Sequence, residues 1–318
     1  MRHRQDMTAS TDLSFTILGT GALGGFYGAR LQAAGATVRF IARSDAATIA
    51  RDGLRVDSPL GDLHLDPVEV YRDSDPIPPS DVVCVALKTI QNHRLPTLLR
   101  PLVRPGTIIL NLQNGLTMED ELAAAFPEAR VVAGMCYLCS NKVGPGHIVH
   151  LDYGTVSFAP FDEGDRACIE PLMRAFSAAG VEVESLPDLH QARWRKLAWN
   201  IPFNGLSVLL DADTDRIIAD PDARRLAARL MTEVARGAEA CGHPFAPDFP
   251  ERLMRFTERM RPYAPSMRLD YLDKRPLELE YMYRRPLREA ERHGAQLPVI
   301  AAIADALAFR DRHNRTVG

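Results

Sequence analysis

Short apolar runs alternate with helical patterns through the first half of the chain. Largely apolar runs lie at residues 14–18, 37–42, 81–87 and 107–112. Such runs are typical of strands that are covered on both faces, as in a parallel sheet. A helix rich in small residues is predicted at 22–34, between the first two runs. Strands that alternate with helices in this way predict a doubly wound α/β domain.

The pattern changes after this alternation. Residues 131–161 form a β-rich stretch that is interrupted by glycines. After Pro187 the chain shows long helical patterns and almost no strand pattern. Asp220 followed by Pro221 is typical of a helix start, and Gly242 is typical of a helix end. The second half of the chain is therefore expected to be helical.

These changes divide the chain into two domains and a leader. We predict an N-terminal Rossmann-type doubly wound domain over 14–187 and an all-helical C-terminal domain over 188–318. The polar segment 1–13 lacks the apolar stretch of a signal peptide and is expected to be a disordered leader. A length of 318 residues suits two domains of this kind.

Composition and charge argue against several classes of protein. The net charge of −3 gives no reason to expect a nucleic-acid partner. No apolar run in the sequence approaches the roughly 20 residues that a membrane span needs. Five cysteines among 318 residues do not form a disulfide framework. We therefore expect a cytoplasmic protein without nucleic-acid or membrane partners.

A glycine-rich turn follows the first predicted strand and opens the first predicted helix. In a Rossmann turn the first glycine makes the bend, the second lets the backbone approach a pyrophosphate, and the third allows close helix packing. The free N–H groups and positive dipole of the helix N-terminus then face the phosphates. This context predicts a nicotinamide-dinucleotide site formed by Gly19, Thr20, Gly21, Ala22, Leu23 and Gly24.

The end of the second predicted strand indicates which dinucleotide binds. NAD sites usually carry an acidic residue about 20 positions after the turn, where it binds the ribose 2′-hydroxyl. Here Arg43 and Ser44 follow the strand, so Arg43 can pair with a 2′-phosphate and Ser44 can add a hydrogen bond. These residues favour NADP(H), although Asp45 comes directly after them and keeps the NAD option open.

Lys196, Asn200 and Asn204 are spaced to lie on one face of a helix. A lysine at such a site can hydrogen-bond a carbonyl oxygen and supply a proton while hydride reaches the carbon. The alternative is a solvated polar face, which is the usual place for a charged helix residue. The asparagines favour a functional face, because asparagine is unfavourable inside a helix unless its side chain has a partner.

Five ordered motifs resemble those of the ketopantoate reductase (2-dehydropantoate 2-reductase) family. Besides the glycine turn, they are Leu87-Lys88 after a strand, Leu112-Gln113-Asn114-Gly115, Lys196-x3-Asn200-x3-Asn204, and Ser266-Met267-x2-Asp270 followed by Leu277-Glu278-Leu279-Glu280. The resemblance spans about residues 14–310. It implies NADPH-dependent reduction of 2-dehydropantoate to pantoate, a step in pantothenate synthesis.

The resemblance implies catalytic roles for two residues. Lys196 is the expected general acid that protonates the 2-keto oxygen. Glu278 is expected to bind a substrate hydroxyl and to help position Lys196. The local sequence is compatible with the role of Glu278, which stands between Leu277 and Leu279. A carboxylate among apolar residues needs a partner such as a lysine.

Binding roles follow from the same resemblance. Asn200, Asn204 and Ser266 are expected to hold the keto-acid substrate. Lys88 and Asn114 are expected to line the substrate cleft from the cofactor domain, beside the nicotinamide and the ribose. Asn114 is thus expected to serve both ligands. A homodimer is the candidate assembly.

The chain also departs from the family pattern. Gly205 and Ser207 stand where the family usually has proline and threonine, and Tyr263 and Tyr283 stand where it usually has asparagine. We expect these changes around the substrate, so a paralogous reductase for a different 2-keto or β-hydroxy acid is an alternative. A non-catalytic NADP(H)-binding regulator is a second alternative, opposed by the presence of the complete catalytic set.

Cys136-x2-Cys139 has the spacing of a redox pair or of half a zinc site. No second pair of this kind accompanies it in the sequence, and the stretch is β-rich, whereas redox pairs normally open a helix. We therefore interpret both cysteines as structural and predict no metal site.

Overall fold

The computed structural model of the chain describes residues 13–74 and 77–316. The leader expected at 1–13 lies outside the described residues, apart from Leu13. Among the described residues the chain forms two compact units. Unit 1 comprises 13–74, 77–87, 91–113 and 119–187, and unit 2 comprises 88–90, 114–118 and 188–316. Two short segments from the first half of the chain thus belong to the same unit as the helical second half.

Unit 1 is built on a ten-stranded sheet. The strands are β1 (Phe15–Leu18), β2 (Val38–Ile41), β3 (Leu54–Asp57), β4 (Leu63–Leu65), β5 (Glu69–Tyr71), β6 (Val82–Val85), β7 (Ile108–Asn111), β8 (Arg130–Gly144), β9 (His147–Pro160) and β10 (Val183–Ser185). They lie in the order β4-β3-β9-β8-β7-β6-β1-β2-β5, and β10 pairs with β9. The pairs β3–β4 and β8–β9 are antiparallel, and the other pairs are parallel.

The four apolar runs that predict strands form β1, β2, β6 and β7, which are neighbours in the sheet. Successive residues of a strand point to opposite faces, and on β6 they enter two separate apolar cores. Val82 and Cys84 pack in one core, and Val83 and Val85 pack in the other. A continuous apolar run is what such a strand requires, because both of its faces are covered. The predicted doubly wound fold is confirmed.

Five α-helices belong wholly or mainly to unit 1. They are α1 (Ala22–Ala33), α2 (Ala46–Asp52), α3 (Leu95–Leu99), α4 (Met118–Ala125) and α5 (Ile169–Ala178). Short 3₁₀ helices cover Thr89–Arg94 and Glu163–Cys168. The predicted β-rich stretch forms the long β8–β9 hairpin, and its turn contains Gly146 at a φ of 64°.

Unit 2 is helical throughout its longer segment. Its helices are α6 (Leu189–Leu209), α7 (Thr214–Ala219), α8 (Pro221–Ala240), α9 (Phe249–Glu258), α10 (Ser266–Leu272), α11 (Arg285–Arg292) and α12 (Pro298–Thr316), with a π-helical turn at Glu280–Arg284. Asp220 caps α8 by accepting the N–H groups of Asp222 and Ala223 at 2.9 and 2.8 Å. Gly242 follows α8 at a φ of 85°. The predicted start and end of this helix are confirmed.

None of the helices formed by the described residues is long and apolar enough to cross a membrane.

A buried carboxylate on α8 holds the beginning of α12. Glu233 is 5% exposed, and its two oxygens accept the backbone N–H groups of Val299 and Ile300 at 3.0 and 2.9 Å. The first N–H groups of a helix have no partner within the helix, so a side chain from elsewhere must satisfy them when they are buried. Glu233 therefore ties two helices of unit 2 together.

Glu233→Ala is expected to lower the free energy of unfolding by about 1–3 kcal/mol, because it leaves two helix N–H groups without an acceptor. Urea denaturation measures this loss. Glu239→Ala is the matched control, since Glu239 is an exposed residue on the same helix. An equal effect of the two substitutions would contradict the capping role of Glu233.

Candidate active site

The glycine turn in unit 1 has the shape that its sequence predicts. Gly19 has a φ of 106°, and a Cβ there would lie 2.9 Å from the backbone nitrogen of Leu87. A Cβ at Gly24 would collide with the Gly19 carbonyl oxygen and lie 2.9 Å from the Cβ of Ala86, so α1 packs directly on the turn and on the end of β6. A Cβ at Gly21 would have no neighbour within 4 Å. The open side of the turn therefore lies at Gly21, where the Rossmann motif places the pyrophosphate.

The turn is bonded to the end of β2. The carbonyl oxygen of Ile41 accepts the N–H groups of Gly19 and Thr20 at 3.3 and 3.2 Å, and the Thr20 hydroxyl at 3.1 Å. The helix α1 then begins at Ala22 with no acidic residue in its first turn. Its positive end and the open face of the turn fit the pyrophosphate of a dinucleotide. Residues that directly follow β2 lie beside this cradle.

Asp45 is buried in the loop after β2 and is already engaged within unit 1. Its carboxylate lies 2.5 Å from Nζ of Lys142 and accepts the Gly146 N–H at 3.1 Å and the Ser44 hydroxyl at 2.7 Å. Burial raises the pKa of Asp45, but these three donors outweigh burial and lower its pKa below the ordinary value. Ser44 donates its proton to Asp45, so it does not supply the hydrogen bond expected for a phosphate.

Arg43 is exposed, in contrast to the buried Asp45. Within the described residues its guanidinium group forms neither an ion pair nor a hydrogen bond with a protein side chain. A cation that no protein group engages, next to a dinucleotide cradle, can pair with an anionic ligand.

The three residues predicted to share a helix face all lie on α6 in unit 2 and are buried. Lys196, Asn200 and Asn204 are 8%, 7% and 2% exposed. The interpretation of this line as a solvated face is therefore wrong. Oδ1 of Asn204 accepts the backbone N–H of Met267 at 3.1 Å, which places the start of α10, including Ser266, against α6.

Asn200 and Asn114 each carry a buried polar atom that no protein group satisfies in the described part of the chain. These atoms are Nδ2 of Asn200 and Oδ1 of Asn114. Buried amide atoms nearly always have a partner, because leaving one without a hydrogen bond is costly. Both atoms are therefore candidates for contact with a bound ligand.

Asn114 is held in unit 2 by the π-helical turn. The N–H of Leu116 donates to the Tyr281 carbonyl oxygen at 3.1 Å. Gly115 has a φ of 126°, and a Cβ there would lie 2.7 Å from the Cβ of Tyr281. The segment that carries Asn114 is therefore fitted closely to the turn that follows Glu278.

Glu278 is buried, and its two oxygens have different partners. Oε1 accepts the backbone N–H of Thr89 at 2.7 Å and the hydroxyl of the same residue at 2.8 Å. Oε2 lies 3.3 Å from Nζ of Lys88. Because two donors from one residue hold Oε1, Thr89 fixes the orientation of this carboxylate.

Lys88 bridges two carboxylates of unit 2. Its Nζ lies 2.6 Å from Oδ2 of Asp270, whose other oxygen accepts Nε–H of Arg275 at 2.9 Å. Burial lowers the pKa of Lys88, but the charges of Glu278 and Asp270 outweigh it and raise its pKa above the ordinary value. The ammonium group therefore stays charged at neutral pH.

Sequence reasoning placed Lys88 and Asn114 in the cofactor domain, whereas both group with unit 2. It also left Asp270 without a role, although Asp270 stands in the matched Ser266-Met267-x2-Asp270 motif. No motif or pattern in the sequence pointed to a role for Thr89. Its contact with Glu278 joins residues that are 189 positions apart, and no local pattern reports such a contact.

Three of the positions that depart from the family pattern are buried and bonded inside unit 2. The Tyr283 hydroxyl donates to the Ile201 carbonyl oxygen at 2.8 Å, and a Cβ at Gly205 would lie 2.6 Å from that hydroxyl oxygen. The Ser207 hydroxyl donates to the Asn204 carbonyl oxygen at 3.0 Å. Gly205, Ser207 and Tyr283 thus have contacts inside unit 2, and the expectation that these changes surround the substrate stays a prediction.

The two thiols of the cysteine pair on β8 are shielded from solvent. Cys136 and Cys139 are both buried and neither forms a disulfide. Burial raises the pKa of Cys139 to about 12, so the thiol stays protonated and unreactive at neutral pH. Among the described residues, no group of three or more His, Cys, Asp or Glu side chains could hold a metal ion.

Both halves of the chain match one enzyme family. Residues 15–163 match the family described as ketopantoate reductase PanE/ApbA, and residues 188–311 match ketopantoate reductase PanE/ApbA C terminal. The 2-dehydropantoate 2-reductase of Nostoc sp. is 46% identical over 309 residues, which cover 95% of this chain and 96% of that protein. The similarity therefore extends over both units.

Solved structures give the same result. The crystal structure of 2-dehydropantoate 2-reductase from Geobacter metallireducens GS-15 is 42% identical, with a TM-score of 0.90, and covers 93% of this chain and 99% of that chain. The 2-dehydropantoate 2-reductase from Methylococcus capsulatus is 31% identical, with a TM-score of 0.87 and coverage of 95% and 98%. The family predicted from the five motifs is confirmed.

Gly205→Ala is expected to destabilise unit 2 by about 1–3 kcal/mol, the usual cost of overpacking a core. Adding Tyr283→Phe removes the oxygen that the new methyl group would meet, so the double variant should recover part of the loss. Urea denaturation of both single variants and the double variant measures the coupling between the two positions. A coupling energy near zero would show that these side chains do not constrain each other.

Proposed function

Because the chain belongs to the ketopantoate reductase family of oxidoreductases, we propose that it reduces 2-dehydropantoate to pantoate with NADPH. The observation that carries this proposal is the buried line of Lys196, Asn200 and Asn204 on α6. A buried lysine followed by two buried amides is costly unless a ligand or partner uses them. The two asparagines and Ser266 are proposed to hold the keto acid.

Lys196 is proposed as the general acid. When bound, the reduced nicotinamide supplies hydride to the keto carbon. Nζ of Lys196 hydrogen-bonds the 2-keto oxygen and transfers a proton to it as negative charge develops there. The product is a 2-hydroxy acid, and the lysine regains its proton from solvent.

Glu278 is proposed to receive a hydroxyl group of the substrate. Its Oε1 is held by both donors of Thr89, and its Oε2 faces Lys88 at a longer distance of 3.3 Å. A carboxylate fixed at one oxygen presents the other in a defined direction, which favours a substrate over water. Thr89, Lys88 and Asp270 act as positioning residues in this proposal.

NADP(H) is proposed as the dinucleotide, held at its pyrophosphate by the turn from Gly19 to Gly24. Two observations in unit 1 support the phosphate-bearing form. The exposed Arg43 has no protein partner in the described part of the chain, and Asp45 is engaged by Lys142 and Gly146. The cation is thus available to a 2′-phosphate, and the carboxylate is not available to a 2′-hydroxyl.

Two further expectations stay predictions from the sequence. They are a homodimeric assembly and a cytoplasmic location. The alternative of a non-catalytic NADP(H)-binding regulator is disfavoured, because the buried Nδ2 of Asn200 would then have no substrate to bind.

Lys196→Ala is expected to lower kcat by about 100-fold or more, the typical contribution of a general acid. NADPH binding should stay within about threefold of the wild type, because the lost interaction acts on the keto oxygen. The measurement is steady-state NADPH oxidation together with titration of NADPH fluorescence.

Arg195→Ala is the matched control for this experiment. Arg195 precedes Lys196 on α6, but it is exposed and lies over the ring of Phe249 at 5.3 Å from the ring centroid. Its removal should change kcat by less than about twofold, as for other surface substitutions. Unchanged turnover of Lys196→Ala would refute the role proposed for Lys196.

The identity of the keto acid is tested by a substrate panel with NADPH. We expect kcat/KM for 2-dehydropantoate to exceed that for other 2-keto acids by about tenfold or more, since a site built to hydrogen-bond a substrate hydroxyl rejects analogues that lack it. A value no better than the panel average would instead support a paralogous reductase for a different acid.

A further inference from the structure

An ion pair between the buried carboxylate of Asp45 and the exposed Lys142 joins the loop after β2 to the β8–β9 hairpin within unit 1. Asp45 is 4% exposed, and Lys142 on β8 reaches it at 2.5 Å. The hairpin turn adds the Gly146 N–H at 3.1 Å, and its carbonyl oxygen accepts the Arg55 N–H at 2.8 Å. The hairpin is therefore held to Asp45 through the Gly146 N–H as well as through the ion pair, and its turn is also bonded to β3.

The pair lies at the edge of the dinucleotide cradle. Ile41, the last residue of β2, accepts the N–H groups of Gly19 and Thr20. Asp45 follows it by only four positions, and Arg43 stands between them. In a Rossmann site this region meets the adenosine ribose, and an acidic residue here normally selects the 2′-hydroxyl of NAD.

An unengaged carboxylate at this place would act against a 2′-phosphate in two ways. It would repel the phosphate as a like charge, and it would compete for the guanidinium group of Arg43. Lys142 neutralises the charge of Asp45, and the three donors together occupy both carboxylate oxygens. Arg43 is left without a protein partner among the described residues.

We propose that Lys142 is a specificity-determining positioning residue, which engages Asp45 so that Arg43 can select the 2′-phosphate of NADP(H). This inference rests on the proposed use of NADP(H) and adds a residue from a distant strand to cofactor selection. It assigns Lys142 no contact with the substrate or the nicotinamide. Replacing Lys142 with an uncharged residue leaves the negative charge of Asp45 unneutralised close to Arg43 in the chain.

The test is isothermal titration of the full-length protein with NADP⁺ and, separately, with NAD⁺. Lys142→Met should weaken NADP⁺ binding by about tenfold or more, because the unneutralised carboxylate of Asp45 repels the 2′-phosphate. NAD⁺ binding should stay within about threefold, because NAD⁺ lacks this phosphate. Lys142→Met combined with Asp45→Asn should recover most of the NADP⁺ affinity, since the repelling charge is then absent. Lys142→Arg should retain the wild-type preference.

Arg51→Met is the matched control for loss of a surface cation. Arg51 lies on α2 in the same region, and its partner is the exposed Asp52. This variant should leave the ratio of the two affinities unchanged. Thermal unfolding of each variant separates a loss of fold from a change in preference.

The failures of the two proposals are distinguishable. A wild-type protein that binds NAD⁺ as tightly as NADP⁺ overturns the proposed use of NADP(H), and this inference with it. A wild-type preference for NADP⁺ that Lys142→Met does not change overturns this inference alone. The inference is likewise overturned if the double variant fails to recover NADP⁺ affinity, since Lys142 would then contact the phosphate itself.

Discussion

Asp45, Asp270 and Glu278 are buried carboxylates, and each is held by donors from a distant segment of its own unit. A charge removed from water is tolerated only when it is paired and hydrogen-bonded. The donors that satisfy these carboxylates therefore come from residues that are far away in the sequence. Asp270 and Glu278 hold Lys88 in unit 2, and Asp45 holds the β8–β9 hairpin next to the loop after β2.

In unit 2 this constraint builds the framework of the candidate active site. Lys88 arrives from the first half of the chain and stays charged because two carboxylates surround it. The neighbouring Thr89 donates twice to Glu278. These contacts fix the orientation of the Glu278 carboxylate and of the Lys88 ammonium group within unit 2, and groups held in a fixed orientation favour efficient catalysis.

The departures from the family pattern have a physical explanation of the same kind. Gly205 and Tyr283 are matched, because the space that a Cβ would fill at position 205 holds the tyrosine hydroxyl. That hydroxyl is itself satisfied by the Ile201 carbonyl oxygen. Two changes that look like altered substrate contacts in the sequence are therefore in contact with each other inside unit 2.

The sequence by itself determined the features that depend on local spacing. These are the doubly wound sheet, the bend at Gly19, and the helix that aligns Lys196 with its two asparagines. Only the tertiary structure decided which distant groups meet: Thr89 with Glu278, and Lys142 with Asp45. Periodicity reports which face of an element is buried, but the partner of a buried charge is selected by packing between segments far apart in the chain.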